Sequence, residues 1–524
     1  TTDALASSVE DTDRTVSIVS RRQMLHTGIT GLLFSAFSLP SYTKSPPEIS
    51  PLVGRVAAQS KSWEKQYTIE KPDVDTSPFP TDSVGFFGND VAVSSDGDTA
   101  IVAAKGWDAP FGFGNSVGSV FLYTRDPDAD WVWNKRKRFR GNHKKDLFGK
   151  EIAVGGPQSS PQKVLVVGAP YDRTANVPDD PDNTGAGAVY IYLGFGDTYD
   201  QQQKLTGDPP EYEGFFGMSV AISKTGDTIV VGESGDDPIP EEADESHGSV
   251  YVYTLNGAQW DRQTKLLGQK DDYEENSFGV SVAISNDGNT IVVSDIIADE
   301  VNSEATGAAY IYTRSSDGSW SRTATLIPTD VEEGDRFGGS VHISGDGETV
   351  FVTETLDDNS TAEGAGSVYA FNDTGSGWVQ QAKLRAGNGD EFDQFGTDVS
   401  LTDDGNKALI SANKDDGSAG EKEGSVYIFE RDSSGWDKQQ KFPNSDKRAG
   451  ERFGTAVAIT GDAETSIISS LPPGGVLPVK SYIFDKTQDS SNDEQTELIP
   501  EVSPGTIPAG TETEVEVITG VAGA

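Results

Sequence analysis

A Phe-Gly pair recurs along this chain at Phe87-Gly88, Phe148-Gly149, Phe216-Gly217, Phe278-Gly279, Phe337-Gly338, Phe395-Gly396 and Phe453-Gly454. Successive pairs lie 61, 68, 62, 59, 58 and 58 residues apart. A near-constant period of that length, with strand patterns inside each unit, demands a repeat architecture.

Each unit reads as four short strands. Val220 and Ile222 alternate with Ser219, Ala221 and Ser223, the period of two of a strand with unlike faces. Thr228, Ile229, Val230 and Val231 are β-branched without interruption, as in a strand covered on both sides. Tyr251 and Tyr253 share one face of a third strand, and a more polar fourth begins at Trp260. A glycine turn joins the first two strands, as at Asn286-Asp287-Gly288, and supplies the positive φ of a short hairpin. Seven such units predict an all-β fold, a seven-bladed β-propeller of four-stranded antiparallel blades. The Phe of each pair is expected to pack between blades and the Gly to allow close backbone approach.

The seventh unit lacks a Trp-containing fourth strand. A spare one precedes the first pair, starting at Ser62 and Trp63 and ending at Ile69, and resembles those at Trp260, Trp320, Trp378 and Trp436. It is expected to complete the last blade and leave the ring without an open edge. The propeller then occupies residues 60–487, preceded by a leader and linker (1–59) and followed by a polar tail (488–524).

With 35% apolar residues in regular strands the chain can bury a core, so its net charge of −43 belongs to a solvated surface. That charge argues against nucleic acid and acidic membranes as partners. The chain has no cysteine, which excludes disulfides and thiol catalysis. Arg21 and Arg22 precede a short apolar run at 28–39, the pattern of a twin-arginine export signal. The competing reading is a disordered leader. The run is too short to cross a bilayer as a helix. The expectation is an exported protein, extracellular or at the cell surface, with no membrane insertion after processing.

The second unit joins its Phe-Gly pair to Val167-Gly168-Ala169-Pro170 and then to Gly187, Ala188, Val189 and Tyr190. This resembles the FG-GAP repeat of the integrin α-subunit propeller. The other units vary the Gly-Ala-Pro element but keep the rest. The acidic surface with a twin-arginine leader is similar to the short-turn prokaryotic members, haloarchaeal ones among them. The resemblance implies adhesion or extracellular recognition. It also implies calcium loops between the first two strands, but here those turns are shortened and lack the ligand set. Ca²⁺ wants six to eight oxygens, and calcium is therefore not carried over to them.

Loops joining the second and third strands share a propeller face with those joining blades. Here both are acidic. The candidate ligand-binding residues are Asp236, Asp237, Glu241, Glu242, Asp357, Asp358, Asp415 and Asp416. Two readings stand: solvation, including solubility in high salt, and a divalent-cation-dependent ligand face. One basic island breaks the pattern, at Lys135, Arg136, Lys137, Arg138, Arg140, Lys144 and Lys145, with His143 beside it. It reads either as positive charge guarding an exposed outer strand or as a patch for an anionic partner, including a second copy. His342 replaces a small residue in an inner strand, which makes it either a polar filler or a ligand contact in the channel. No nucleophile elbow, phosphate loop or zinc pattern appears. The expected function is a non-catalytic module that binds an extracellular protein or glycan. The alternatives are a polysaccharide-acting enzyme and a self-assembling surface component.

Overall fold

The computed structural model describes residues 63–70 and 86–486 apart from loop positions, the longest being 107–116, 174–184, 237–246, 269–276, 299–305, 331–334 and 473–478. The expected leader, its arginine pair, the linker and the tail lie outside the described residues. Every regular element among the described residues is a strand, and the strands form seven four-stranded antiparallel sheets arranged as a ring.

Blade 1 shows the common order: Phe87–Val93 innermost, then Thr99–Ala104, Ser119–Arg125 and Trp133–Arg140 outermost. The second strands are buried along almost their whole length, as in Thr228–Glu233, because a different neighbouring blade covers each face. Apolar clusters fill the spaces between blades. One joins Ile101, Val120, Leu122 and Phe139 of blade 1 to Phe148, Leu165, Val167 and Tyr190 of blade 2.

The repeated Phe residues sit in these clusters, each at most 2% exposed. Phe148 meets Tyr190 edge-on at 5.3 Å, and Phe216 meets Tyr251 at 5.2 Å, the geometry that the ring quadrupoles favour. Gly217 has φ 85°, and a Cβ there would lie 2.8 Å from the carbonyl oxygen of Ala188. A second glycine, before each third strand, proves just as restrictive. A Cβ on Gly187 would lie 2.3 Å from the Phe216 carbonyl of the next blade. Phe216 N–H in turn donates to Ala186 C=O at 3.0 Å. Backbone from one blade thus docks directly on the next, which leaves no room for a side chain.

The ring closes as the sequence predicts. Trp63–Glu70 pairs antiparallel with Lys480–Lys486, the outermost seventh-blade strand that the C-terminal part of the chain supplies. On its other side blade 7 meets blade 1, where Ser469 Oγ donates to the Gly88 carbonyl at 2.7 Å.

Candidate ligand-binding surfaces

Described residues of the two kinds of loop meet at the ends of second strands, as Asp146 does with Asp172 and Asp335 with Asp357. Three residues past the second strand stand Asp172 in blade 2, Asp236 in blade 3, Asp357 in blade 5 and Asp415 in blade 6. All four are buried. Each uses its main-chain carbonyl to close the loop, as Asp236 C=O accepts from Gly248 N–H at 3.0 Å and Asp357 C=O from Gly366 N–H at 3.0 Å. Each carboxylate meets a lysine of the outermost strand. The pairs are Asp172–Lys204 at 2.6 Å, Asp236–Lys265 at 2.7 Å, Asp357–Lys383 at 2.7 Å and Asp415–Lys441 at 2.9 Å.

The lysine reaches its carboxylate by crossing the ring of the third-strand tyrosine. Lys204 lies 5.0 Å from the centre of Tyr190, Lys265 5.0 Å from Tyr251 and Lys383 4.8 Å from Tyr369. The aliphatic stem is covered and the ammonium is held over a π face. Blade 4 lacks both ends of this device. Ala298 stands at the aspartate position and Thr325 pairs across from Tyr310 where the lysine would be. The backbone bond survives there, with Gly307 N–H donating to Ala298 C=O at 3.1 Å.

The structure therefore divides the expected ligand-binding acids. Asp236, Asp357 and Asp415 are buried within blades. Asp358 and Asp416 are exposed, and each accepts one loop N–H, from Gly364 and Lys422 respectively, both at 2.8 Å. Asp237, Glu241 and Glu242 lie outside the described residues.

A second acidic series comes from the blade-to-blade loops, two residues before the Phe of the pair. Asp146, Asp335 and Asp393 occupy this place beside the loop-closing acids. Burial pushes Asp146 up to about 7 and Asp393 up to about 6. Burial also raises Glu354, at the end of the second strand of blade 5, to about 7. There Lys383 lies 3.8 Å from Glu354 and Arg385 donates to Asp357 at 2.7 Å, so two cations serve one carboxylate cluster.

The basic island is split by its strand geometry. A register shift between Leu122 and Tyr123 lies opposite Arg136. Lys137 faces blade 2 and donates to the Tyr199 carbonyl. Arg138 faces the other way, over the ring of Phe121 and bonded to Ser119 at 3.0 Å. Arg136 donates to Thr124 Oγ1 at 2.6 Å. Lys135, Arg136, Arg138, Arg140 and Lys145 are exposed, and Lys144 lies outside the described residues.

The first strands of all seven blades line a central cavity of 580 Å³. One layer of it is alanine in five blades, but His342 and Ser400 in the other two. His342 Nε2 lies 3.0 Å from Ser340 Oγ and 3.7 Å from Asp398 Oδ1. Burial lowers His342 to about 4, which keeps it neutral at pH 7. Asp90, Glu151 and Asp398 bring carboxyls into the same cavity, and burial raises them to about 6, 8 and 8. Asp90 and Asp398 are built in: Asp90 accepts from Ile152 N–H at 2.7 Å and Asp398 from Val457 N–H at 2.7 Å, each stitching its blade to the next. At the end formed by the first turns, Lys224 of blade 3 pairs with Asp403 of blade 6. This contact crosses between blades that are not neighbours.

Those first turns are compact. In blade 4 Asp287 accepts from Ser285 Oγ at 2.6 Å and from Asn289 N–H at 3.0 Å. The aspartate serves the turn itself, an Asx-type arrangement.

No helix among the described residues is long and apolar enough to cross a membrane. No curated protein matches the chain. The FG-GAP repeat family model matches residues 199–253, 260–312, 320–371 and 378–429. Each match opens on or just inside an outermost strand and ends in the third strand of the following blade, so the family unit is offset from the blade by one strand. Residues 199–429 thus carry four FG-GAP repeats, and they lie inside a seven-bladed β-propeller.

Proposed function

We propose that this propeller is an exported, non-catalytic binding module that takes a protein or glycan at the cell surface on its acidic loop face. The observation that carries the reading is the division of the acids. A buried series fastens the loops to the blades, and an outer series, including Asp358 and Asp416, stands exposed above them. A rigid base with polar groups at its rim suits recognition. The FG-GAP repeat supports a binding role by family resemblance, while export rests on the leader sequence alone.

A second reading has one specific observation in its favour. The cavity gathers neutral His342 with Ser340, Asp398, Asp90 and Glu151, groups from which acid–base chemistry can be built. The same experiment separates the two. Full-length protein is applied to an array of surface polysaccharides and glycoproteins, at low and molar salt, with retention and released fragments both scored. Retention without release is the expected result, and it should weaken when Asp358 and Asp416 are changed to Asn. Fragment release that disappears in His342→Gln would replace the binding module with an enzyme.

A further inference from the structure

Blade 2 carries one feature that neither loop fastening nor the rim of acids accounts for. One donor atom each from His143, Asp146 and Asp172 lies within 4.8 Å of the other two. Asp146 is fully buried, yet its Oδ1 has no hydrogen-bond partner. Its other oxygen accepts from His143 N–H at 2.7 Å, which holds the imidazole-bearing residue beside it. Asp172 is fastened by Lys204 at 2.6 Å and by the Tyr190 hydroxyl, which fixes its plane. The imidazole is 48% exposed, so the cluster is reachable from solvent.

We propose that His143, Asp146 and Asp172 form a binding site for a divalent transition-metal ion of the zinc class. The donor set is one imidazole and two carboxylates. That suits Zn²⁺, which takes nitrogen and oxygen ligands at about 2.0–2.2 Å, and it falls short of the six to eight oxygens of Ca²⁺. Among the described residues the site offers three protein ligands, and Zn²⁺ takes a fourth, which a carboxylate or a water can supply.

Blade 5 shows why the site belongs to blade 2. Its corresponding cluster, Asp335, Glu354 and Asp357, is equally compact and also holds an unpartnered oxygen, Glu354 Oε1. There, however, Lys383 and Arg385 both contact Asp357, and a metal ion would meet two fixed cations. Blade 2 places Thr206 where blade 5 has Arg385, and it adds the imidazole that blade 5 lacks. The proposal is independent of which ligand the loop face takes.

The test is calorimetric titration of the full-length protein with Zn²⁺ in excess Mg²⁺, which saturates unspecific carboxylates, with the melting midpoint followed in parallel. The expected result is a single tight site and a midpoint raised by Zn²⁺. His143→Ala and Asp146→Asn should each weaken that site by roughly tenfold or more, at least the cost of losing an outer-shell partner. Glu354→Gln should leave it unchanged. His143 is exposed, so its variant should melt like the wild type without metal. Absence of a zinc site above the Mg²⁺ background would overturn the proposal. So would a site that His143→Ala leaves intact, or one that Ca²⁺ fills as readily as Zn²⁺.

Discussion

Blade 4 and blade 3 share their strand order, first turn and loop closure and differ in a buried charged pair. Blade 3 closes its loop on Asp236 and holds that carboxylate with Lys265 across Tyr251. Blade 4 closes the same loop with the carbonyl of Ala298 and has Thr325 on the outer strand. Acid and base are present together or missing together. A buried carboxylate without its cation is costly, whereas an alanine with a threonine leaves nothing unpaired. The comparison teaches that the loop needs the carbonyl at this position, and that the charged pair is a second fastening, useful only when complete. It also separates acids that build the face from acids that are offered to a ligand.

The seam is the harshest way to break the equivalence of the blades, since blade 7 is assembled from both ends of the chain. Removing Trp63–Glu70 should cost at least the ~3–5 kcal/mol of truncating one buried Trp, because Trp63 and Ile69 are both buried. Thermal melting checks this, and an unchanged midpoint would refute the closure. Next in size is Lys383→Met in blade 5. It leaves Asp357 with Arg385 alone and should lower stability by roughly 2–3 kcal/mol in denaturant unfolding.

A smaller effect concerns the cavity, where charge is stored at a cost. Burial raises Glu151 from 4.5 to about 8, so the fold disfavours its charged form. That cost is fully present above about pH 8 and fades as the pH falls toward 4.5, so stability should rise on acidification through that window. Glu151→Gln should flatten this part of the pH profile and stabilise the protein at pH 9 by on the order of 1–2 kcal/mol. A profile with unchanged slope would remove Glu151 as its source. The smallest change belongs to the rim. Asp358→Asn and Asp416→Asn should move stability by less than ~0.5 kcal/mol, while reducing ligand retention.

Most of the fold was legible in the sequence because it is periodic. The Phe-Gly spacing announced the blades, and the stray Trp63 strand announced the closure. A meeting of the two kinds of loop was also foreseen, and the described residues show it at Asp146 with Asp172 and at Asp335 with Asp357. Which acids lie inside was not, although a signal existed: Lys204, Lys265, Lys383 and Lys441 recur at one place on the outer strand, and that place is empty of lysine only where the loop acid is also missing among blades 2 to 6. Aspartates read as ligands from their abundance are, at three positions, partners of those lysines. The Lys224–Asp403 contact had no such signal, since it joins blades three apart and follows no period. The His143 cluster was hidden for a related reason. His143 was read with the basic island, Asp146 and Asp172 were not singled out, and only folding brings the three together.

The most direct test of the division between fastening and offered acids is a double-mutant cycle in blade 3 that grafts the blade 4 solution: Asp236→Ala, Lys265→Thr and both together. Each single variant should lose about 2–3 kcal/mol, and the double variant should fall short of their sum by at least ~1 kcal/mol while keeping full ligand retention. Additive losses would show that the two residues are not coupled, a double variant that folds as well as the wild type yet no longer binds would place Asp236 among the ligand-binding acids, and either would contradict the account.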